Sequence, residues 1–177
     1  MKALMVLSPK NFRDEEYRTP ALKLERAGIT VLVTGPTSGP YTGMLGKVVT
    51  PDLTLDQVNV DDYSAIIVIG GSGSKDYLWN NSKLISIINE AFKKNKTIAG
   101  ICMSSPVLAK AGVLKGRNAT TFPSGENVRL LQWNGANYIK KGVVVDGKIV
   151  TAEGPANADE FADAIIATLS KEKEQSK

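Results

Sequence analysis

The chain has no histidine and a single cysteine, Cys102. Without histidine it lacks the imidazole that most cysteine nucleophiles use as a general base. A lone cysteine cannot form a disulfide within the chain, and a zinc site normally needs several cysteine or histidine ligands. We therefore expect no metal, no other cofactor, and a reducing, cytoplasmic location.

Long apolar runs and a strong charge bias are also missing. No stretch approaches the roughly 20 apolar residues of a transmembrane helix. The apolar residues 1–7 are followed at once by Pro9 and several charged residues, which indicates a buried strand rather than a signal peptide. The net charge of +4 comes largely from lysines in positions typical of a solvated surface. We therefore expect neither membrane nor nucleic-acid binding.

The remaining pattern is that of an α/β protein. The chain of 177 residues, 42% of them hydrophobic, is long enough for one sizeable core. Strand-like and helix-like segments alternate, as in a parallel sheet covered on both faces. The continuous apolar run 65–69 predicts a central strand, and Asp146-Gly147 predicts a hairpin turn. We predict one domain over residues 1–169 and a frayed, charged tail over residues 170–177.

Two strand ends in this pattern point to a site. Cys102 stands where an apolar strand runs directly into a helix, so its thiol would face the free N–H groups of that helix. Residues 70–74, Gly-Gly-Ser-Gly-Ser, follow the central strand and predict a flexible turn at the edge where α/β folds bind ligands. This turn lacks the Gly-Lys-Ser/Thr ending of a phosphate loop, so nucleotide binding is not predicted.

Four motifs in a fixed order carry a family resemblance. They are Glu16-Tyr17-Arg18-Thr19-Pro20, Ile69-Gly70-Gly71, the segment from Gly100 to Leu114 around Cys102, and Val150-Thr151-Ala152-Glu153-Gly154-Pro155. This set resembles the ThiJ/PfpI family of the class I glutamine-amidotransferase-like superfamily, over nearly the whole chain. The resemblance implies a flavodoxin-like three-layer sandwich, with a mostly parallel central sheet and helices on both faces. It also implies a homodimer or a higher homo-oligomer.

The same resemblance implies roles for individual residues. Cys102 matches the nucleophile, and Glu16 matches the glutamate that hydrogen-bonds its sulfur. The backbone N–H groups of Gly71 and Met103 match the donors of an oxyanion pocket, whose function depends on backbone shape rather than on side chains. Gly70 adjoins these residues as a further pocket candidate.

Departures from the family pattern fall where a histidine would stand. Met103 follows the cysteine directly, where peptidase-like members carry histidine. In Thr120-Thr121-Phe122-Pro123, Phe122 takes the place of the histidine found in other members. Glu153 replaces the arginine often found before the late Gly-Pro. A Cys-His peptidase is therefore not expected, and an identical subunit could not supply the missing histidine.

Three functions stay open at this point. The first is attack of Cys102 on small reactive carbonyls, with Glu16 moving the proton, as in a glyoxalase, a deglycase or a weak hydrolase. The second is a redox sensor or stress-response chaperone in which peroxide oxidises Cys102 to a sulfinate. The third is a silent family member with a cysteine that only packs in the core.

Four further side chains are weaker candidates for the pocket. Asp76 and Glu126 join Glu153 as carboxylates that could face a substrate, although each is typical of a solvated loop. Trp79 and Trp133 could line the pocket rim, contact a second subunit or pack in the core.

Overall fold

A computed structural model describes residues 1–175 of the chain. Its strands are β1 (Lys2–Val6), β2 (Lys10–Phe12), β3 (Thr30–Gly35), β4 (Tyr41–Gly43), β5 (Val48–Val49), β6 (Leu53–Thr54), β7 (Ala65–Val68), β8 (Thr97–Ile101), β9 (Asn118–Ala119), β10 (Asn137–Tyr138), β11 (Val143–Asp146) and β12 (Ile149–Ala152). Its α-helices are α1 (Asp14–Arg26), α2 (Ser74–Tyr77), α3 (Ser82–Lys93), α4 (Ser105–Lys110), α5 (Gly125–Trp133) and α6 (Ala158–Gln175). Short 3₁₀ turns include Cys102–Ser104 and Pro155–Asn157.

Seven strands form the central sheet in the order β11-β12-β8-β7-β1-β3-β6. All neighbours in this sheet are parallel except the edge hairpin of β11 and β12, whose turn is the predicted Asp146-Gly147. From β1 the chain first adds β3 and β6 on one side of the sheet and then continues with β7 on the other side of β1. Ligands of open α/β sheets bind at the carboxyl ends of the strands beside such a switch point. The predicted flavodoxin-like fold is confirmed.

Two apolar layers fill the spaces on either side of the sheet. Side chains of β1 alternate between them: Leu4 and Val6 pack with residues of α3 and α4, while Ala3 and Met5 pack with residues of α1 and α6. The central strand β7 is buried along its whole length, as its continuous apolar run predicts. These two layers fix the strand ends that carry the site.

The structure differs from the predicted elements at several places. Helix α6 continues to Gln175, because Ser170 is followed by strong helix formers and Lys148 makes an ion pair with Glu172 at 3.9 Å. The rest of the predicted tail, residues 176–177, lies outside the described residues. Helix α5 was not predicted, because its sequence is largely polar and its first residue is Gly125.

The described residues contain no helix that is both long and apolar enough to cross a membrane.

Candidate active site

Cys102 lies at a strained elbow between β8 and α4. Its backbone has a φ of 60°, a left-handed conformation that costs a residue with a side chain about 1–3 kcal/mol. The 3₁₀ turn Cys102–Ser104 begins at this residue and leads directly into α4. The side chain is only 6% exposed, so the thiol lies at the floor of the site rather than on its surface.

Glu16 reaches Cys102 from the first turn of α1. The Arg13 N–H donates to the Gly70 carbonyl at 2.9 Å, which anchors the start of α1 beside the turn after β7. Glu16 is fully buried, and its Oε1 accepts the Gly70 N–H at 3.0 Å. The carboxyl and the Cys102 thiol are close enough that each shifts the pKa of the other. Its buried Oε2 has no hydrogen-bond partner in the described chain, so this oxygen is free to carry a proton.

The two glycines after β7 allow this close approach. A Cβ at Gly70 would lie 2.5 Å from Glu16 Oε1 and 2.8 Å from Cys102 Cβ, so no side chain fits between the two groups. Gly71 has a φ of 113°, and a Cβ there would lie 2.5 Å from the Arg13 nitrogen. With this shape, the N–H groups of Gly71 and Met103 both act to lower the pKa of the Cys102 thiol, against the larger effect of its burial.

Burial controls the protonation of this pair. It raises the pKa of the Glu16 carboxyl to about 7, against the weaker opposing effects of its hydrogen bonds from Cys102 and Gly70. Burial, together with repulsion from a Glu16 carboxylate, also raises the pKa of the Cys102 thiol. Two negative charges in this buried space would repel strongly, so at neutral pH the pair keeps at least one proton and titrates as a unit.

An open cleft of about 560 Å³ leads from solvent to Cys102. Its lining residues are Arg13, Met44, Gly71, Ser72, Lys75, Asp76, Cys102, Met103, Phe122 and Pro155. The hairpin of β4 and β5 supplies Met44, and Asp14 fixes this hairpin by accepting the Leu45 and Lys47 N–H groups at 2.8 Å each. The cleft is therefore built from the loops at the carboxyl ends of the central strands.

Comparison with known proteins identifies the family. The family model described as "DJ-1/PfpI family" matches residues 1–168. The chain belongs to the DJ-1/PfpI family. An uncharacterized protein of Methanocaldococcus jannaschii is 46% identical over 173 residues, which cover 98% of this chain and 84% of that protein. A deglycase of Pyrococcus abyssi is 32% identical over 154 residues, covering 87% and 91%.

A solved structure agrees with this assignment. The ThiJ/PfpI domain protein from Brachyspira murdochii has a TM-score of 0.90 and 31% identity, and the match covers 96% of each chain. The predicted family resemblance is confirmed.

Cys102, Glu16, Gly71 and Met103 lie together. The weaker candidates lie in different places. Phe122 and Asp76 line the Cys102 cleft. Glu153 follows β12 and is not among the residues that line it. A neighbouring cleft of about 460 Å³ is lined by Lys75, Asp76, Trp79, Asn80, Lys110, Glu126, Leu130 and Trp133. Glu126 forms an ion pair there with Lys75 at 2.7 Å.

The two tryptophans have different environments. Trp79 is 2% exposed and its Nε1 donates to the Met103 carbonyl at 2.6 Å, so it combines core packing with a contact to the site. Trp133 is 74% exposed and does not line the Cys102 cleft. Within residues 1–175, no cluster of three or more histidine, cysteine, aspartate or glutamate side chains could hold a metal ion.

The sequence did not predict the serine and threonine hydroxyls that hydrogen-bond the backbone around Cys102. The Ser104 hydroxyl donates to the Ile69 carbonyl at 2.6 Å and lies 2.9 Å from the Ser74 hydroxyl, which ties the turn after β7 to the turn after β8. The Thr121 hydroxyl donates to the Cys102 carbonyl at 3.0 Å. Serine and threonine are common in loops, so only their position beside the two strand ends could have singled them out.

The raised pKa of Glu16 predicts how stability depends on pH. The folded pKa of about 7 lies above the ordinary value of 4.5, so folding favours the protonated carboxyl. The contribution is complete below about pH 4.5 and is lost as the pH rises through about 7, a change of about 3 kcal/mol in the free energy of unfolding.

Denaturant unfolding between these pH values measures this change. Glu16→Gln should flatten the slope, because glutamine does not titrate. Glu15→Gln is the matched control, since Glu15 is the adjacent residue of α1 and makes a partly exposed ion pair with Arg13 at 2.6 Å. Equal pH dependence in the wild type and in Glu16→Gln would contradict the assignment.

Proposed function

We propose that Cys102 and Glu16 act together on small reactive carbonyl compounds, in a glyoxalase- or deglycase-like reaction. The observation that carries this proposal is the fully buried Glu16 carboxyl beside the chain's only thiol, so close that a single Cβ at Gly70 would clash with both residues. Relatives named deglycase, such as the one from Pyrococcus abyssi, support it at the level of the family.

Backbone N–H groups favour charge on sulfur once the pair has lost one proton, against the burial that raises the pKa of the Cys102 thiol. Two of them, those of Gly71 and Met103, act on Cys102, whereas Glu16 accepts that of Gly70. Hydrogen bonds to the charged form stabilise it. We take the form with the charge on sulfur and the remaining proton on Glu16 as the reactive one, because the thiolate is the nucleophilic form of cysteine.

The first step is attack of the thiolate on the aldehyde carbon of a 2-oxoaldehyde. The S–C bond forms, and the electron pair of the C=O bond moves to oxygen beside the Gly71 and Met103 N–H groups. Glu16 gives its proton to this oxygen. The resulting carboxylate can move the C–H proton to the neighbouring carbon, while the hydroxyl proton passes to the oxygen on that carbon, which converts the adduct to a thioester of a 2-hydroxy acid. Water then hydrolyses the thioester, so the sum is 2-oxoaldehyde plus water to 2-hydroxy acid.

The walls of the cleft favour a small substrate without a strong charge. Met44, Met103, Phe122 and Pro155 give it an apolar lining. Its two cations already have partners, since Arg13 pairs with Glu15 at 2.6 Å and Lys75 pairs with Glu126 at 2.7 Å. A short dicarbonyl can enter such a cleft without breaking these ion pairs.

Incubation with methylglyoxal, followed by proton NMR, tests this function. Glyoxalase chemistry produces lactate in proportion to the enzyme. Deglycase-like chemistry instead restores free amines when the protein is mixed with methylglyoxal-treated N-acetyl-lysine. Failure to accelerate either reaction above buffer would contradict the proposed activity.

Oxidation of Cys102 to a sulfinate is the second candidate. A protonated Glu16 beside sulfur can donate a short hydrogen bond to a sulfinate oxygen, and this role needs no turnover. Peroxide treatment followed by mass spectrometry should then show a sulfinate that accumulates in the wild type and oxidises further to sulfonate in Glu16→Gln. Identical oxidation in both proteins would count against this candidate.

A further inference from the structure

The carbonyl of Cys102 is held by two donors from outside the elbow. The Thr121 hydroxyl donates to it at 3.0 Å, and the Phe122 N–H donates to it at 3.2 Å. This carbonyl and the Met103 N–H belong to the same planar peptide group. Fixing the oxygen therefore fixes the direction of the Met103 N–H, the group that favours the thiolate form of Cys102.

The next peptide group is held in the same way. Its carbonyl, that of Met103, accepts the indole N–H of Trp79 at 2.6 Å. Trp79 is 2% exposed, so this indole has a fixed place in the core. Both peptide groups that flank the Cα of Met103 are thus anchored through their oxygens, and the residue has little freedom to rotate its N–H away from sulfur.

Thr121 itself is oriented by its surroundings. It is fully buried, and Asn127 Nδ2 lies 3.4 Å from its hydroxyl oxygen and 3.3 Å from Met103 Sδ. The adjacent Thr120 is also fully buried, yet its hydroxyl has no hydrogen-bond partner in the described chain. The two neighbours therefore differ in one respect that matters here, because only the Thr121 hydroxyl contacts the elbow.

We propose that Thr121 and Trp79 are positioning residues that aim the Met103 N–H at the reacting sulfur. The hydrogen bond from Thr121 to the Cys102 carbonyl also polarises that peptide group and makes its N–H, that of Met103, a stronger donor. Both side chains act on the elbow through hydrogen bonds to backbone carbonyls. This inference rests on the proposed function, since it concerns the same nucleophile.

Thr121→Val tests the proposal, and Thr120→Val is its matched control. Each replaces a buried threonine by a side chain of nearly the same shape that lacks the hydroxyl. The measurement is the rate constant for alkylation of Cys102 by iodoacetamide as a function of pH. We expect Thr121→Val to move the midpoint to higher pH and to lower the neutral-pH rate roughly 3- to 10-fold. Thr120→Val should keep the wild-type profile.

Two further variants distinguish a loss of positioning from a folding defect. Thr121→Ser keeps the hydroxyl and should restore the wild-type profile, whereas Trp79→Phe keeps an aromatic ring, loses the N–H and should shift the midpoint in the same direction as Thr121→Val. A lower melting temperature with an unchanged profile in Thr121→Val would show a merely structural role and overturn the proposal. Equal shifts in Thr120→Val and Thr121→Val would overturn it as well.

The alkylation assay uses no carbonyl substrate, so it separates the two proposals. A shifted profile in Thr121→Val, together with no lactate from the wild type, would keep the positioning role and reject the glyoxalase activity. Lactate production by the wild type with coincident profiles for all variants would do the reverse.

Discussion

Cys102→Ser is expected to reduce the conversion of methylglyoxal to lactate to the rate seen in buffer. Serine has nearly the same size as cysteine, but its hydroxyl does not ionise near neutral pH, and no histidine in the chain could activate it. Because Cys102 is the only thiol in the chain, no other residue can form the carbon–sulfur bond, and the loss of activity should be complete. Proton NMR of the product measures it.

Graded chemical blocking of the wild type provides the control for this substitution. Activity should fall in direct proportion to the fraction of Cys102 labelled by iodoacetamide. Circular dichroism should show that Cys102→Ser keeps the fold. Substantial lactate production by a fully labelled protein would exclude Cys102 as the nucleophile.

Gly70→Ala is expected to damage both stability and activity. The new Cβ would lie 2.5 Å from Glu16 Oε1, 2.5 Å from the Ile101 carbonyl oxygen and 2.8 Å from Cys102 Cβ. Overpacking of this kind, combined with loss of the Gly70 to Glu16 hydrogen bond, should lower the free energy of unfolding by about 4 kcal/mol. Denaturant unfolding measures the change.

Gly154→Ala is the matched control for Gly70→Ala. Its backbone has a φ of 178°, which any residue adopts, and a Cβ there meets no atom within 4 Å. We expect its stability to change by less than about 0.5 kcal/mol. Similar stability in the two variants would mean that Gly70 is not a spacer between Glu16 and Cys102.

The positions of Gly70 and Cys102 could be predicted because both residues follow buried strands. The continuous apolar run before Gly70 and the apolar run before Cys102 each indicate a buried parallel strand, and parallel strands bring their carboxyl ends to one edge. Glu16 was a harder case. Asp14, Glu15 and Glu16 all suit a first helical turn, and only the family resemblance distinguished the third of them.

Tertiary contacts explain what the sequence could not show. Thr121 and Trp79 lie 19 and 23 residues from Cys102 in the chain, and their hydrogen bonds go to backbone carbonyls, which leave no mark on residue type. The pKa values of Glu16 and Cys102 could not be predicted from the sequence either. The position at a helix start predicts a more acidic thiol, but complete burial of Glu16 and near-complete burial of Cys102 raise the pKa of both groups.

The pH dependence of Cys102 alkylation in the folded wild type shows whether sulfur or Glu16 holds the charge after the pair has lost one proton. If the pair that has lost one proton carries its charge on sulfur, the rate rises with a midpoint below the ~8.5 of a free cysteine. If the charge lies on Glu16 instead, the reactive thiolate needs the second deprotonation, and the rate stays low to beyond about pH 10. We expect the first result; the second would show that sulfur does not hold the charge and would contradict the proposed nucleophile.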